Sequence, residues 1–504
     1  MHLHHTRAGA ALASVALVAA AAGFSATTAS AAPACATRVN NTIANLLECV
    51  EVEGVRAHQQ AFQDIADDHG GTRASGTPGY DASAAYVADM LEAAGWAVTI
   101  QEFAFRTFEE LSPSVLEQVT PPPITAYDHA TMSYSGSGDV TRAVSRPSGA
   151  VTGCFAADWA GFPAGNIALV QRGGSTTTLT CTFGLKASNA AAAGASGVII
   201  YNNAAGPLNG TLGADFAPDL PVVGITQSLG QQLAATAGLT MHLKTETLRL
   251  VNETSNVLAE LPGKNRDNVV MAGAHLDSVP AGPGINDNGS GSAGLLEVAE
   301  NLGKVKPQNT LRFAWWGAEE ASLVGSTYYV NNLTDAESAK IALYLNFDMI
   351  GSPNHGLFIY DGDNSDQIGA GPGPAGSAQI EQTFQRFFES RGLPTRGTDF
   401  SGRSDYGPFI AVGIPSGGLF TGAEGIKTPE DVALWGGTAG QAYDPCYHQA
   451  CDTFDNVNLE ALAANTDAIA YAALSYGMST NLINGTKSKG NFRPAPTEDA
   501  PTAS

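Results

Sequence analysis

Basic residues are scarce in this chain. Lysine and arginine together number 25 against 48 aspartates and glutamates, leaving a formal charge of −23. No cluster of Lys or Arg forms anywhere. Phosphate contacts need such clusters, so the composition argues against nucleic-acid binding. The acidity itself reads as solubility. Long apolar runs are also few: past the N-terminal segment, none approaches the length that spans a bilayer. There is no Cys-x-x-Cys pair, which weakens any zinc–thiolate reading. Histidine is sparse, with ten residues, three of them (His2, His4, His5) at the very start.

What is present begins with a targeting segment. Arg7 and the early histidines precede an Ala-rich apolar run from Ala8 to Phe24, and Ala29-Ser30-Ala31 fits small-residue cleavage after Ala31 or Ala32. The alternative is an uncleaved anchor. The expectation is a secreted, extracellular protein with no membrane partner. Six cysteines agree with an oxidising compartment. Pairing nearest neighbours keeps each bond within one predicted unit: Cys35–Cys49, Cys154–Cys181 and Cys446–Cys451.

The 504 residues can hold two domains. Ala84, Val87, Ala88, Leu91 and Ala94 recur at helical spacing, with Gly95 placed to cap the helix and Trp96–Ile100 as the next strand. This α/β pattern breaks near Arg106. A Pro-rich stretch, 121–123, then leads into short strand-like runs, clearest at Ile167–Val170, Val198–Tyr201 and Pro221–Ile225. The pattern returns at Ser255–Ala259, then Val269–Gly273, Leu311–Trp316 and Ala342–Asn346, alternating with helices such as Ala293–Leu302. Alternation of this kind implies a mostly parallel sheet, with ligands beyond the carboxyl ends of its strands. The expected division is a signal at 1–31, a main α/β domain at 32–110 and 249–478, an insert at 111–248, and a polar, disordered tail at 479–504.

Acids and histidines gather at the expected strand ends. His275 follows one strand and stands two positions before Asp277, which could accept its second ring N–H. Asp287 lies in a Gly/Asn loop before a helix, where an N-cap is the ordinary reading. Glu319-Glu320 and Asp348 follow two further strands, and His448 sits beside Tyr447 inside the Cys446–Cys451 loop. Each residue alone has a commonplace explanation. Together, at strand ends of one α/β domain, they form a ligand set for two divalent metals.

That order of residues resembles the secreted bacterial di-zinc aminopeptidases, the leucine-aminopeptidase-like group of the MH clan of metallopeptidases. The likeness covers roughly residues 50–105 and 250–478. It implies an α/β fold, phosphorylase/hydrolase-like, with a mixed, mostly parallel central sheet flanked by helices. It also implies two Zn2+ per chain, one held by His275, Asp287 and Asp348, the other by Asp287, Glu320 and His448. Glu319 would be the general base and Tyr447 an oxyanion donor. Arg403 resembles a residue of the substrate-facing rim, and Met349 and Phe420 resemble walls of an apolar first-residue pocket. The bond Asp287–Asn288 would be cis. For the Ca2+ that some members bind, Asp467 fits, while Ala463 stands where a second acid is expected. The insert resembles a β-rich protease-associated (PA) domain through Ile167–Val170, Arg172-Gly173, Cys181, Phe183, Lys186, Asn189-Ala190 and Gly197–Tyr201. The implied activity is removal of N-terminal, large apolar residues from peptides by a monomer. A carboxypeptidase or glutaminyl cyclase on the same fold, or a receptor-like binding module, are the competing readings.

Overall fold

The computed structural model describes Cys35, residues 37–369 and residues 371–485. The signal segment expected at 1–31 lies outside the described residues. After a short helical turn at Ile43–Leu47, two longer helices lead, α1 (Val52–Asp68) and α2 (Pro78–Ala93). The second starts where the Tyr80 amide donates to Thr77 Oγ1 and Pro78 fills the first turn, and it closes at Gly95, with φ +90°. Strand β1 (Ala97–Thr120) follows, then β2 (Gly138–Ser145), β3 (Ile167–Gln171), α3 (Phe183–Ala192), β4 (Gly197–Tyr201), β5 (Val222–Ile225) and β6 (Thr240–Leu261). The rest holds β7 (Asn265–His275), α4 (Gly289–Leu302), β8 (Asn309–Trp316), β9 (Ile341–Phe347), β10 (Phe358–Tyr360), α5 (Ser377–Ser390), β11 (Arg396–Thr398), β12 (Ser416–Phe420) and α6 (Leu459–Met478).

The strands form one mixed sheet in the order β11-β10-β12-β9-β7-β8-β6-β2-β3-β4-β5, with β1 paired to β6. At its centre β8, β7, β9 and β12 run parallel. Strands β7 and β9 are buried on both faces, from Asn268 to His275 and from Ile341 to Phe347, which is why both read as unbroken apolar runs. Helix α4 covers them with an unusually small N-terminal surface, Gly-Ser-Gly-Ser-Ala-Gly. A Cβ added at Gly291 would lie 2.3 Å from the carbonyl oxygen of Phe347, so only glycine lets helix and strand end touch.

Strands β1 and β6 make a long antiparallel ribbon. Its near end sits in the central sheet, where Leu261 of β6 faces Leu311 of β8. Its far end belongs to the inserted unit, where Thr245 faces Gly138 of β2. The chain pattern therefore does not break at Arg106: the strand runs on to Thr120. Along this stretch β1 exposes Glu102, Arg106, Glu109 and Glu110 and buries Phe103 and Phe105 against Ala318, so it has no continuous apolar run to announce it. The boundaries expected at 110 and 248 fall inside these two strands.

All three cysteine pairs are joined: Cys35–Cys49, Cys154–Cys181 and Cys446–Cys451. The tail expected from residue 479 still belongs to the fold at its start. Thr480 is buried and accepts a hydrogen bond from Asn268 Nδ2 at 2.9 Å, and Asn481–Asn484 form a helical turn; beyond Gly485 the tail lies outside the described residues. Among the described residues no helix is long and apolar enough to cross a membrane.

Candidate active site

Three strand ends, the loop before α4 and one stapled loop converge on a single cavity. His275 is the last residue of β7 and is fully buried. Asp287 reaches the same place from the loop before α4, Glu319 and Glu320 from the turn after β8, and Asp348 from the residue after β9. His448 stands in the Cys446–Cys451 loop with φ +58°. The decisive geometry is at Asp287. Its Oδ1 lies 3.2 Å from His275 Nε2 and its Oδ2 3.3 Å from His448 Nε2, so one carboxylate faces two imidazoles, one on each oxygen. Asp348 Oδ1 is 3.4 Å from His275 Nε2, and Glu320 Oε2 is 3.0 Å from His448 Nε2. The Asp287–Asn288 bond is cis, as the resemblance implies.

The supporting bonds fix these positions. His275 Nδ1 lies 3.0 Å from the main-chain oxygen of Asp277, while the Asp277 carboxylate is 3.7 Å away. The expected carboxylate–imidazole bond is thus replaced by a carbonyl contact. The carboxylate is engaged elsewhere, accepting the amides of Glu319 at 3.1 Å and Glu320 at 3.4 Å. Tyr447 stacks on His448 with ring centroids 3.8 Å apart, and its hydroxyl accepts from Arg403 at 3.3 Å. Arg403 also pairs with Glu424 at 2.7 Å. Met349, Phe420, Arg403 and Tyr447 all line the cavity, together with Phe358, Tyr360 and Tyr443; its volume is about 360 Å³.

Buried acids and two imidazoles shift one another strongly at this site. Burial, together with Glu320, Asp405 and Asp348 close by, raises the Glu319 carboxyl well above its ordinary range against the pull of His275. Burial lifts Glu320 to about 7, helped by Asp287. Burial would also raise Asp287, but His275 and His448 outweigh it and hold that carboxyl low. Burial pulls His448 down, yet Asp287 and Glu320 push it up to about 10. Glu320 Oε1 and Asp348 Oδ1 are buried with no hydrogen-bond partner. Unpartnered carboxylate oxygens beside imidazole nitrogens are costly in a protein interior, and divalent cations resolve that cost. The donor set fits metal binding.

Comparisons with known proteins bear on the same residues. Residues 256–473 match Peptidase family M28, and residues 138–233 match the PA domain. An aminopeptidase of Pseudomonas aeruginosa is 48% identical over 459 residues, covering 88% of this chain and 84% of its own length. The chain belongs to peptidase family M28. Among solved M28-like structures, the aminopeptidase from Aneurinibacillus sp. strain AM-1 is 30% identical with a TM-score of 0.65, covering 85% of this chain and 94% of that one. The zinc aminopeptidase BSAP from Bacillus subtilis is 26% identical with a TM-score of 0.54, covering 84% and 95%. The matched PA segment starts well inside the expected insert, at the strand β2 that joins the ribbon.

Several residues of this M28 site stand outside the motifs that the sequence singles out. Ser404 Oγ donates to Asp348 Oδ2 at 2.5 Å and accepts from Asn346 Nδ2 at 2.8 Å. Asp452 accepts the amides of Asn286 and Asp287, both at 2.9 Å, and Asp444 accepts from Asn286 Nδ2 at 2.7 Å. Asp405 is buried close enough to raise Glu319. The one signal the sequence offers for them is adjacency: Asp452 follows Cys451, and Ser404-Asp405 follow Arg403. Asp467, the residue carried to a calcium site, is ion-paired with Arg391 at 2.7 Å.

Proposed function

We propose that this M28 metallo-aminopeptidase is a secreted enzyme that uses two zinc ions to remove large apolar residues from peptides with a free N-terminus. The single observation that carries the reading is the two-sided Asp287 carboxylate, each oxygen facing a different histidine. His275, Asp287 and Asp348 would hold one ion, and Asp287, Glu320 and His448 the other. When bound, such ions lower the pKa of water and polarise a carbonyl group.

The chain's own residues supply the rest. Glu319, raised by burial and by neighbouring acids, is suited to take a proton from the attacking water and return it to the leaving amine. Tyr447 is fixed by its stack on His448, and because its oxygen accepts from Arg403, its own O–H is free to donate to an oxyanion. Glu319 and Asp348 place carboxyl groups at the cavity wall where the substrate's α-ammonium would lie. Met349, Phe358 and Phe420 offer apolar wall to the first side chain. Three disulfides support an oxidising, extracellular setting.

A carboxypeptidase would need a free cation for a terminal carboxylate. Arg403, the basic residue lining the cavity, is already paired with Glu424. A cyclase would work with one metal, and a receptor-like module would lack ligands. The test joins metal analysis to a panel of aminoacyl-p-nitroanilides. The expected result is two zinc ions at this site, hydrolysis of Leu-p-nitroanilide lost on chelation, and a drop in kcat of about 10²–10⁴ in Glu319→Gln. Full activity in that variant would sink the mechanism.

A further inference from the structure

Helix α4 carries a second group of metal-ligating side chains, about 13 Å along its axis from the Asp287 loop (at 1.5 Å per residue). His58 on α1 meets Glu297 and Glu300, one helical turn apart on α4. One ligand atom from each lies within 4.8 Å of the other two. His58 Nε2 is 3.9 Å from Glu297 Oε2 and 3.8 Å from Glu300 Oε1. Those separations are too long for hydrogen bonds, so the three atoms face one another without bonding.

Each group is held by its other atom. His58 Nδ1 is 2.7 Å from the Tyr86 hydroxyl, which fixes the ring and leaves Nε2 turned to the carboxylates. Glu297 Oε1 accepts from Asn301 Nδ2 at 2.8 Å and from the Glu51 amide at 3.4 Å, leaving Oε2 inward. Glu300 Oε1 is buried with no hydrogen-bond partner. His58 is 4% exposed and Glu297 is 7% exposed. The packing also makes room. A Cβ at Gly54, one turn before His58 on α1, would lie 2.3 Å from Glu297 Oε2.

We propose that His58, Glu297 and Glu300 form a structural zinc site that ties α1 to α4, separate from the candidate catalytic centre. Buried Glu297 and half-buried Glu300 set two carboxylates side by side facing one ring nitrogen, and an imidazole whose second nitrogen is held by a hydroxyl is oriented as metal-binding histidines are. One nitrogen and two carboxylate oxygens suit zinc better than the all-oxygen preference of calcium or magnesium. A cavity of about 430 Å³ opens beside the group, lined by Glu51, Glu53, Glu297 and Glu300 and also by Arg38 and Lys304, and gives access for the ion and a completing water.

The test uses the full-length protein, loaded with zinc, freed of excess and analysed for metal per chain. Glu300→Gln and His58→Gln should each hold one zinc equivalent fewer than the unmodified protein, with Leu-p-nitroanilide hydrolysis unchanged. Because the readout is a difference, it stands whatever the stoichiometry at the catalytic centre. If His58→Gln fails to fold, the partly exposed Glu300→Gln carries the comparison alone. Equal zinc content in variant and unmodified protein would mean that the two carboxyls share a proton instead, and would overturn the proposal.

Discussion

Asp277 holds the main chain beneath Glu319 and Glu320 with its two carboxylate oxygens, one on each amide. Asp277→Asn keeps the size of the side chain but sets an NH2 group against one of those N–H donors. The turn should shift, carrying both glutamates with it. Activity or metal affinity should fall about 10–100-fold, while circular dichroism stays unchanged. The candidate ligands His275, Glu320 and Asp348 were legible in the sequence because each follows an apolar strand, and His448 because it sits in a stapled loop; Asp287, in the loop before α4, was legible only in company with them. The role of Asp277 was not, since its partners are main-chain amides more than forty positions away and carry no side-chain signature. Ser404 escaped for a related reason: a serine has many ordinary uses, and its reach to Asp348 exists only once β9 and the 401–405 loop are folded together.

At the scale of elements, α4 reaches from the candidate active site to the proposed zinc site. Its first turn leans on β9 through Gly291. Gly291→Ala would favour the isolated helix by about 1 kcal/mol, yet the new methyl meets a backbone carbonyl that cannot swing aside. The clash should win. The melting temperature should drop, and activity should fall with it, since Asp348 follows the displaced Phe347. The far end of α4 predicts a pH effect. Burial raises Glu297 and Glu300 each to about 7, above the ordinary glutamate range. Carboxyls raised by folding are better protonated in the native state. Their contribution is full below the unfolded value and is lost as pH climbs through about 7. In chelator-treated protein, melting temperature should fall between pH 5 and 8, and less steeply in the Glu297→Gln/Glu300→Gln double variant. The central strands and α4 were readable from apolar runs and helical spacing. The ribbon was not, because in its middle β1 buries single side chains such as Phe103 and Phe105 between exposed Glu102, Ala104 and Arg106, and leaves no continuous apolar run in the sequence.

At the scale of the whole molecule, the M28 body and the PA unit are joined by a ribbon rather than by single linkers. In it Glu110 of β1 stands opposite Thr247 of β6. Residues 111–246 can therefore be replaced by an Asn-Gly turn that suits a two-residue hairpin. The shortened protein should fold and still hydrolyse Leu-p-nitroanilide, as circular dichroism and a kinetic assay would show; a chain that unfolds would mean the PA unit is part of the core. The opposite pairing also bears on ancestry. The chain leaves the catalytic body and re-enters it at neighbouring points, so a gene could gain, lose or exchange this module at one hairpin tip. No strand of the catalytic body would have to change its neighbours.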